Sequence, residues 1–168
     1  CRRRVVHAGG WQGQRRVGLI AAVRRTPIAK QNVVWLLDGQ TLADVSSWAD
    51  SITGDQVQTA TWHYLNIPPD ASGYDRDRDC PVQPGVRMGS RGDRWRDCVV
   101  DRIAYWEERL GNPRLDRADR ATALKFGVHF NGALHQPCHA HGDGRGGQAG
   151  PRRALGRAGA RKGPSPTH

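Results

Sequence analysis

The chain has 168 residues, of which 37% are hydrophobic, a length that fits one modest globular domain and excludes a multidomain protein. No stretch approaches the run of about 20 apolar residues that a membrane-spanning helix needs, so no membrane span is predicted. The formal net charge is +10, but residues 31–139 carry twelve basic and fifteen acidic side chains, and the excess positive charge lies at the two ends. The overall charge is therefore weak evidence for nucleic-acid binding by the domain itself.

Capping signals and apolar periodicity mark the first predicted helices. Thr26 and Pro27 form a typical helix start, because a threonine side chain caps free backbone amides and proline fits the first turn. This helix is predicted to end at Gly39. Apolar residues then recur at helical spacing from Leu42 to Ile52, which predicts a second amphipathic helix.

The second half of the middle segment continues the helical pattern after a break. Residues 62–67 form an aromatic, extended stretch, and the polar residues 70–79, which follow two prolines, predict a long loop. One-sided apolar patterns predict helices from Asp97 to Leu110 and from Asp119 to Leu134. No strand pattern is convincing. Four or five helices without alternating strands predict an all-α domain.

The ends of the chain differ in composition from its middle. Residues 144–166 consist almost wholly of Arg, Gly, Ala and Pro, which cannot form a packed core. We therefore divide the chain into an atypical basic segment at 1–16, a helical domain at 17–141 and a disordered tail at 142–168. A shift of the reading frame near each end of the gene would also produce Arg-rich sequence of this kind. The chain begins at Cys1 without an apolar signal core, so no signal peptide is predicted within it.

The four cysteines exclude two classes of site. Cys1, Cys80, Cys98 and Cys138 include no CxxC pair, which argues against a zinc ribbon and a thioredoxin-like redox motif. A bridge between Cys80 and Cys98 would tie the charged loop to the following helix. Four unpaired thiols are the alternative from the cysteine pattern alone.

The histidines give the strongest chemical signal. Asp50 and His63, which lie earlier in the chain than the other histidines of interest, are candidate metal ligands. Imidazole together with carboxylate is the ligand set of a zinc site with an open coordination position. Packed, hydrogen-bonded core histidines are the alternative. Four of the seven histidines fall in one short segment, at His129, His135, His139 and His141.

Five motifs occur in one order along the middle segment: LADVSSWADSI, TWHYLNIPP, RDC, CVVDRIAYWEERL and ALKFGVHFNGALHQPCHA. Together they resemble the S1/P1 nucleases, a family of zinc-dependent, single-strand-specific nucleases. Bacterial zinc phospholipases C share the fold, but WHYLNIP and RDC are similar to the nuclease branch. The resemblance implies an all-α, monomeric enzyme, secreted or periplasmic, which holds three zinc ions and cuts single-stranded DNA or RNA to 5′-phosphate products.

The resemblance also implies metal ligands. Asp50 of the WAD motif, His63 of the WHY motif and His129 of the VHF segment correspond to the ligands of the family's first zinc. His139, which closes HQPCH, corresponds to a ligand of the second. Asp50 is in addition the implied catalytic residue, which orients the attacking water while zinc lowers the pKa of that water.

Substrate contacts and a disulfide follow from the same resemblance. Tyr64 and Asn66 correspond to substrate-binding positions, with the aromatic ring of Tyr64 stacked on an unpaired base. The RDC and CVV segments imply a disulfide between Cys80 and Cys98.

Several positions depart from the family pattern. Ala133 stands where the family has an aspartate that bridges two zincs, and Gln14 stands where it has a histidine ligand near the start. Thr53 replaces a basic residue that often holds phosphate, and the basic tail replaces a helix with further ligands. A methyl group cannot ligate a cation, so fewer than three zincs are expected.

Two functional hypotheses remain. One is a zinc-dependent nuclease of single-stranded DNA or RNA, impaired in this chain. The other is a catalytically inactive remnant, or a frameshifted product, that binds nucleic acid non-specifically through its basic ends. Inhibition of hydrolysis by a chelator favours the first, and salt-sensitive binding without cleavage favours the second.

Overall fold

The computed structural model describes residues 10–80 and 95–135. Within these ranges the chain is helical and contains no β-strand, which confirms the predicted all-α fold. His139 and the predicted disordered tail at 142–168 lie outside the described residues. The helices are α1 Trp11–Val23, α2 Pro27–Leu36, α3 Leu42–Val45, α4 Trp48–Ile52, a 3₁₀ helix Val57–His63, α5 Arg76–Asp79, α6 Val99–Gly111 and α7 Arg117–Leu134.

Helix α2 begins where its sequence predicts. The Thr26 side chain accepts a hydrogen bond from the amide of Ala29 at 3.2 Å, and Pro27 occupies the first turn. The chain then turns through Asp38 and Gly39, which both have positive φ, and the amide of Gly39 donates to the carbonyl of Val34. The glycine therefore follows the helix, as a C-terminal cap requires.

The single helix predicted from Leu42 to Ile52 is wrong, because the segment forms two short helices with a break at Ser46 and Ser47. Helix α3 is fixed by a capping box between Thr41 and Asp44, and the Ser46 hydroxyl then donates to the carbonyl of Ala43. Serine side chains compete with the helical backbone for hydrogen bonds in this way. The apolar spacing continues across the break, so periodicity alone does not reveal it.

Two further sequence predictions need correction. Trp62 and His63 are not extended, since they form the end of the 3₁₀ helix, and extended backbone begins only at Tyr64. The predicted loop at 70–79 ends in the one-turn helix α5, because the Asp75 side chain accepts hydrogen bonds from the amides of Asp77 and Arg78.

Helix α1 begins at Trp11 and so crosses the boundary predicted between residues 16 and 17. It packs closely on α3 at Gly18, where an added Cβ would lie 2.7 Å from the backbone of Ala43. Gly18 therefore lets the two helix backbones approach more closely than any side chain would permit.

Glycine substitutions in α1 and α7 are expected to act in opposite directions. Gly18→Ala should lower the free energy of unfolding by about 1–3 kcal/mol, because the new methyl group meets the Ala43 backbone. Gly127→Ala should raise it by about 0.5–1 kcal/mol, because a Cβ there has no neighbour within 4 Å and alanine favours a helix interior. Urea denaturation of both variants checks this, and a stable Gly18→Ala variant would contradict the close helix contact.

Aromatic side chains between α6, α7, α4 and the 3₁₀ helix form the main core. Trp106 stacks on Phe126 with ring centroids 4.4 Å apart, and Phe126 also contacts Phe130, Trp48 and Trp62. Phe126 therefore occupies the centre of the cluster. A second, smaller core lies where α2 and α3 meet α7 and consists of Val33, Leu37, Leu42, Val45 and Val128.

A disulfide joins Cys80 to Cys98, with their Cα atoms 5.5 Å apart. This confirms the pairing implied by the family resemblance and excludes free thiols at these two positions. The bridge ties the end of α5 to the start of α6, and Arg96 donates to the carbonyl of Cys80 at 3.0 Å beside it. Among the described helices, none is long and apolar enough to cross a membrane.

Candidate metal centre

Three separate elements bring Asp50, His63 and His129 together. Asp50 is the third residue of α4, His63 ends the 3₁₀ helix and His129 lies in the C-terminal half of α7. Both histidines are buried, His129 to 1% relative exposure, whereas 54% of the Asp50 side chain is exposed. Two buried imidazoles thus meet one carboxylate at the surface of the domain.

The three side chains converge through one atom each. His63 Nδ1 lies 3.0 Å from His129 Nε2, and Asp50 Oδ1 lies 3.5 Å from the former and 3.3 Å from the latter. Ligand atoms around a tetrahedral zinc ion, at bond lengths of about 2.0–2.1 Å, lie about 3.3–3.4 Å apart. The triangle therefore has the dimensions of one face of such a coordination shell. Neutral imidazole lone pairs and a carboxylate oxygen attract one another only when a proton or a metal cation lies among them.

A backbone carbonyl fixes the orientation of His129. Its Nδ1 lies 2.8 Å from the carbonyl oxygen of Ser46, which can only accept, so Nδ1 carries the proton and Nε2 presents its lone pair to the other two side chains. Metal-binding histidines commonly use their second ring nitrogen in this way. The carbonyl is available because the helix breaks between α3 and α4 at this residue.

His63 is held by aromatic neighbours. Its ring meets Phe130 edge to face at 5.2 Å and His129 at 4.9 Å. Trp62, the preceding residue, donates from Nε1 to Asp97 at 2.7 Å, and the guanidinium of Arg102 lies over its ring. These contacts fix the end of the 3₁₀ helix and so the position of the His63 imidazole.

One other group of potential ligands is present among the described residues, formed by Cys80, Cys98 and Asp101. Its two sulfur atoms form the disulfide, so neither is a thiolate that could bind a metal. Asp101 is paired with Arg76 at 2.6 Å. This group is therefore structural.

Tyr64 and Asn66 follow His63 closely in the sequence, and both line one small surface pocket. Thr61, Asp79 and Asp97 form other parts of its wall, together with the disulfide. Partial burial raises the pKa of the Tyr64 hydroxyl above its usual range, so the ring stays neutral at physiological pH. The backbone carbonyl of Tyr64 accepts from the amide of Val99, which links the pocket to the start of α6.

The residues that depart from the family pattern have clear positions. Gln14 is 2% exposed and its side chain packs on Gly132 of α7, while Ala133 is fully buried and offers only a methyl group. The Thr53 hydroxyl donates to the carbonyl of Ala49 within α4. His135 is exposed at the end of α7, with Nδ1 2.7 Å from the carbonyl of Asn131. None of these four side chains joins the triangle.

Comparison with known proteins agrees with the motifs. The family model described as S1/P1 Nuclease matches residues 10–154, which is most of the chain and includes every element of the site. The chain belongs to the S1/P1 nuclease family. The match begins one residue before α1, so this S1/P1 nuclease domain includes the first helix.

Several relatives of this chain carry the name nuclease or endonuclease. Nuclease P1 of Penicillium citrinum is 33% identical over 103 residues, which are 58% of this chain and 33% of that protein. Endonuclease 2 of Arabidopsis thaliana is 29% identical over 142 residues, 80% of this chain and 46% of that protein. Nuclease S1 of Aspergillus oryzae is 34% identical over 104 residues, 58% of this chain and 31% of that protein. The chain thus spans between about a third and a half of the length of these relatives.

The role of Ser46 in orienting His129 was not predicted from the sequence. Its carbonyl fixes the His129 ring, but every residue has a carbonyl, so residue type gives no direct signal. The two consecutive serines before the WAD motif are a weak indication of a helix break. The packing of Gln14 on Gly132 was also missed, because it joins residues more than a hundred positions apart.

Proposed function

We propose that this chain is a zinc-dependent phosphodiesterase that cuts single-stranded DNA or RNA to 5′-phosphate products. Its metal centre holds fewer than three zinc ions. The triangle of Asp50 Oδ1, His63 Nδ1 and His129 Nε2 is the observation that supports the proposal most strongly. Two imidazoles and a carboxylate are the ligand set of several catalytic zinc sites, whereas Ca²⁺ and Mg²⁺ prefer oxygen ligands alone. Membership of a family with named nucleases supports the same activity.

The chemistry is divided between metal and protein. When bound, zinc supplies Lewis-acid chemistry, because it lowers the pKa of water and stabilises the charge that develops on a phosphate. The buried imidazoles of His63 and His129 would hold the cation from the protein side. Asp50 is exposed on the other side, so its carboxylate faces the space in which a phosphodiester and a water molecule can approach. We assign to Asp50 the orientation of that water.

Selectivity for single strands is assigned to the pocket beside the centre. The neutral ring of Tyr64 provides a stacking surface, and Asn66 provides an amide that both donates and accepts hydrogen bonds. A base in a duplex has both faces covered by its neighbours, so only an unpaired base can stack on a side chain. The pocket and the triangle are joined through consecutive residues, His63 and Tyr64.

The same proposal includes location and oligomeric state. The Cys80–Cys98 disulfide supports an exported protein, because disulfides persist in oxidising compartments. The monomeric state rests on the family resemblance alone. Thr53, in place of a basic residue, offers no charge to hold a phosphate. Weaker cleavage than that of relatives with a basic residue at this position is therefore expected.

Cleavage of a labelled single-stranded oligonucleotide by the purified chain with added zinc tests this proposal. Activity should disappear with a chelator and in His63→Ala, and it should persist in His135→Ala, which removes an exposed histidine outside the triangle. A duplex of the same sequence should be cut more slowly. Salt-sensitive binding without any cleavage would contradict the proposal and favour a catalytically inactive, non-specific binder.

A further inference from the structure

The space next to the triangle along α7 is filled by neutral groups. Gly132 and Ala133 follow His129 by three and four residues, so they share its face of the helix. Gln14 lies on this face, since a Cβ at Gly132 would be 2.2 Å from its side-chain oxygen. Gln14 and Ala133 are both buried, at 2% and 0% exposure. Within the described part of the chain, the Gln14 Oε1 atom has no hydrogen-bond partner.

These groups do not fit a second cation. The family resemblance implies several zincs, and two divalent cations about 3.5–4 Å apart require anionic ligands between them to offset their repulsion. Ala133 has no ligand atom, and the Gln14 carboxamide has no charge. A buried amide oxygen is also a weaker zinc ligand than imidazole or carboxylate. One turn further along α7, the side chains therefore form no ligand set equivalent to the one proposed for the first cation.

We infer that the Asp50–His63–His129 centre is mononuclear, and that Gln14 and Ala133 together exclude a second metal ion from its side. Gln14 fills the volume beside α7, and the glycine at 132 makes room for its carboxamide. Ala133 removes the bridging carboxylate. The inference rests on the metal site of the proposed function, but it concerns the number of ions and is measured without hydrolysis.

Metal counting on the full chain tests the inference. Zinc content after gel filtration is measured for the unmodified chain and for His63→Ala, and the difference between them counts the ions that depend on the triangle. The expected difference is one. The difference should rise to two in the Gln14→His/Ala133→Asp background, which supplies an imidazole and a bridging carboxylate. It should stay at one in the Gln14→Ala background, which opens space without adding a ligand.

The Mn²⁺-loaded unmodified chain provides a second measurement that needs no variant to fold. An isolated six-line electron paramagnetic resonance spectrum is expected, and an exchange-coupled spectrum would overturn the inference. A zinc difference of two in the unmodified chain, or no gain in a Gln14→His/Ala133→Asp chain with unchanged circular dichroism, would also overturn it. No bound metal at all would overturn both proposals. One bound metal without oligonucleotide cleavage would overturn the proposed function alone.

Discussion

Asp50→Asn is expected to lower zinc affinity by more than about 100-fold while the protein stays folded. Loss of a residue that only orients a ligand already costs about 10- to 100-fold in metal affinity, and Asp50 is assigned as a ligand itself. Asparagine has the same shape, but it lacks the negative charge that faces both imidazoles at 3.3–3.5 Å. The Asp50 side chain is half exposed, so its replacement leaves the core intact.

Competition with a chromophoric chelator measures this loss of affinity. Zinc at about 100 times its dissociation constant stabilises a protein by about 2.7 kcal/mol, so the unmodified chain should also gain thermal stability that Asp50→Asn does not. Asp55→Asn is a matched control, because Asp55 is an exposed carboxylate just beyond α4 and outside the triangle. Equal zinc affinity in Asp50→Asn and the unmodified chain would contradict the assignment of Asp50 as a ligand.

Phe126→Ala is expected to lower the free energy of unfolding by about 3–5 kcal/mol, a large part of the stability of a small domain. Phe126 is 3% exposed and contacts four other aromatic rings, so its removal leaves a cavity that the rigid neighbours cannot fill. It also precedes His129 by three residues on α7, which couples the core to the metal centre.

Denaturant titration measures this destabilisation. Ile20→Ala serves as the control, because Ile20 is 64% exposed on α1 and its truncation should change stability by less than about 0.5 kcal/mol. Equal stability of Phe126→Ala and Ile20→Ala would show that the aromatic cluster is not the main core. Zinc affinity of Phe126→Ala should fall as well, because this ring packs α7, which carries His129, against Trp62 of the 3₁₀ helix, which carries His63.

The sequence predicts the all-α class and several helix positions because these depend on local signals. Thr26 and Pro27 start α2 by their own side-chain chemistry, and the apolar face of α6 follows from spacing alone. The break between α3 and α4 was not predictable in this way. Apolar residues keep helical spacing on both sides of Ser46, so the spacing does not reveal the break. The break depends instead on the Ser46 hydroxyl, which donates to the carbonyl of Ala43 and so competes with the helical backbone.

The candidate site was likewise predictable only in part. Motif spacing points to Asp50, His63 and His129, and the structure brings these side chains together from three elements. The number of ions depends instead on Gln14 and Gly132, whose contact arises from the packing of α1 on α7. Such contacts between distant segments follow from tertiary structure and leave no periodic pattern in the sequence.

X-ray absorption spectroscopy of the full chain loaded with one equivalent of zinc tests the central claim most directly. We expect nitrogen and oxygen ligands at about 2.0–2.1 Å with scattering from two imidazoles, and we expect this imidazole scattering to disappear in His63→Ala, which does not retain the ion. Sulfur at about 2.3 Å, or an imidazole signal that His63→Ala leaves unchanged, would show that zinc binds elsewhere in the chain and would contradict the account.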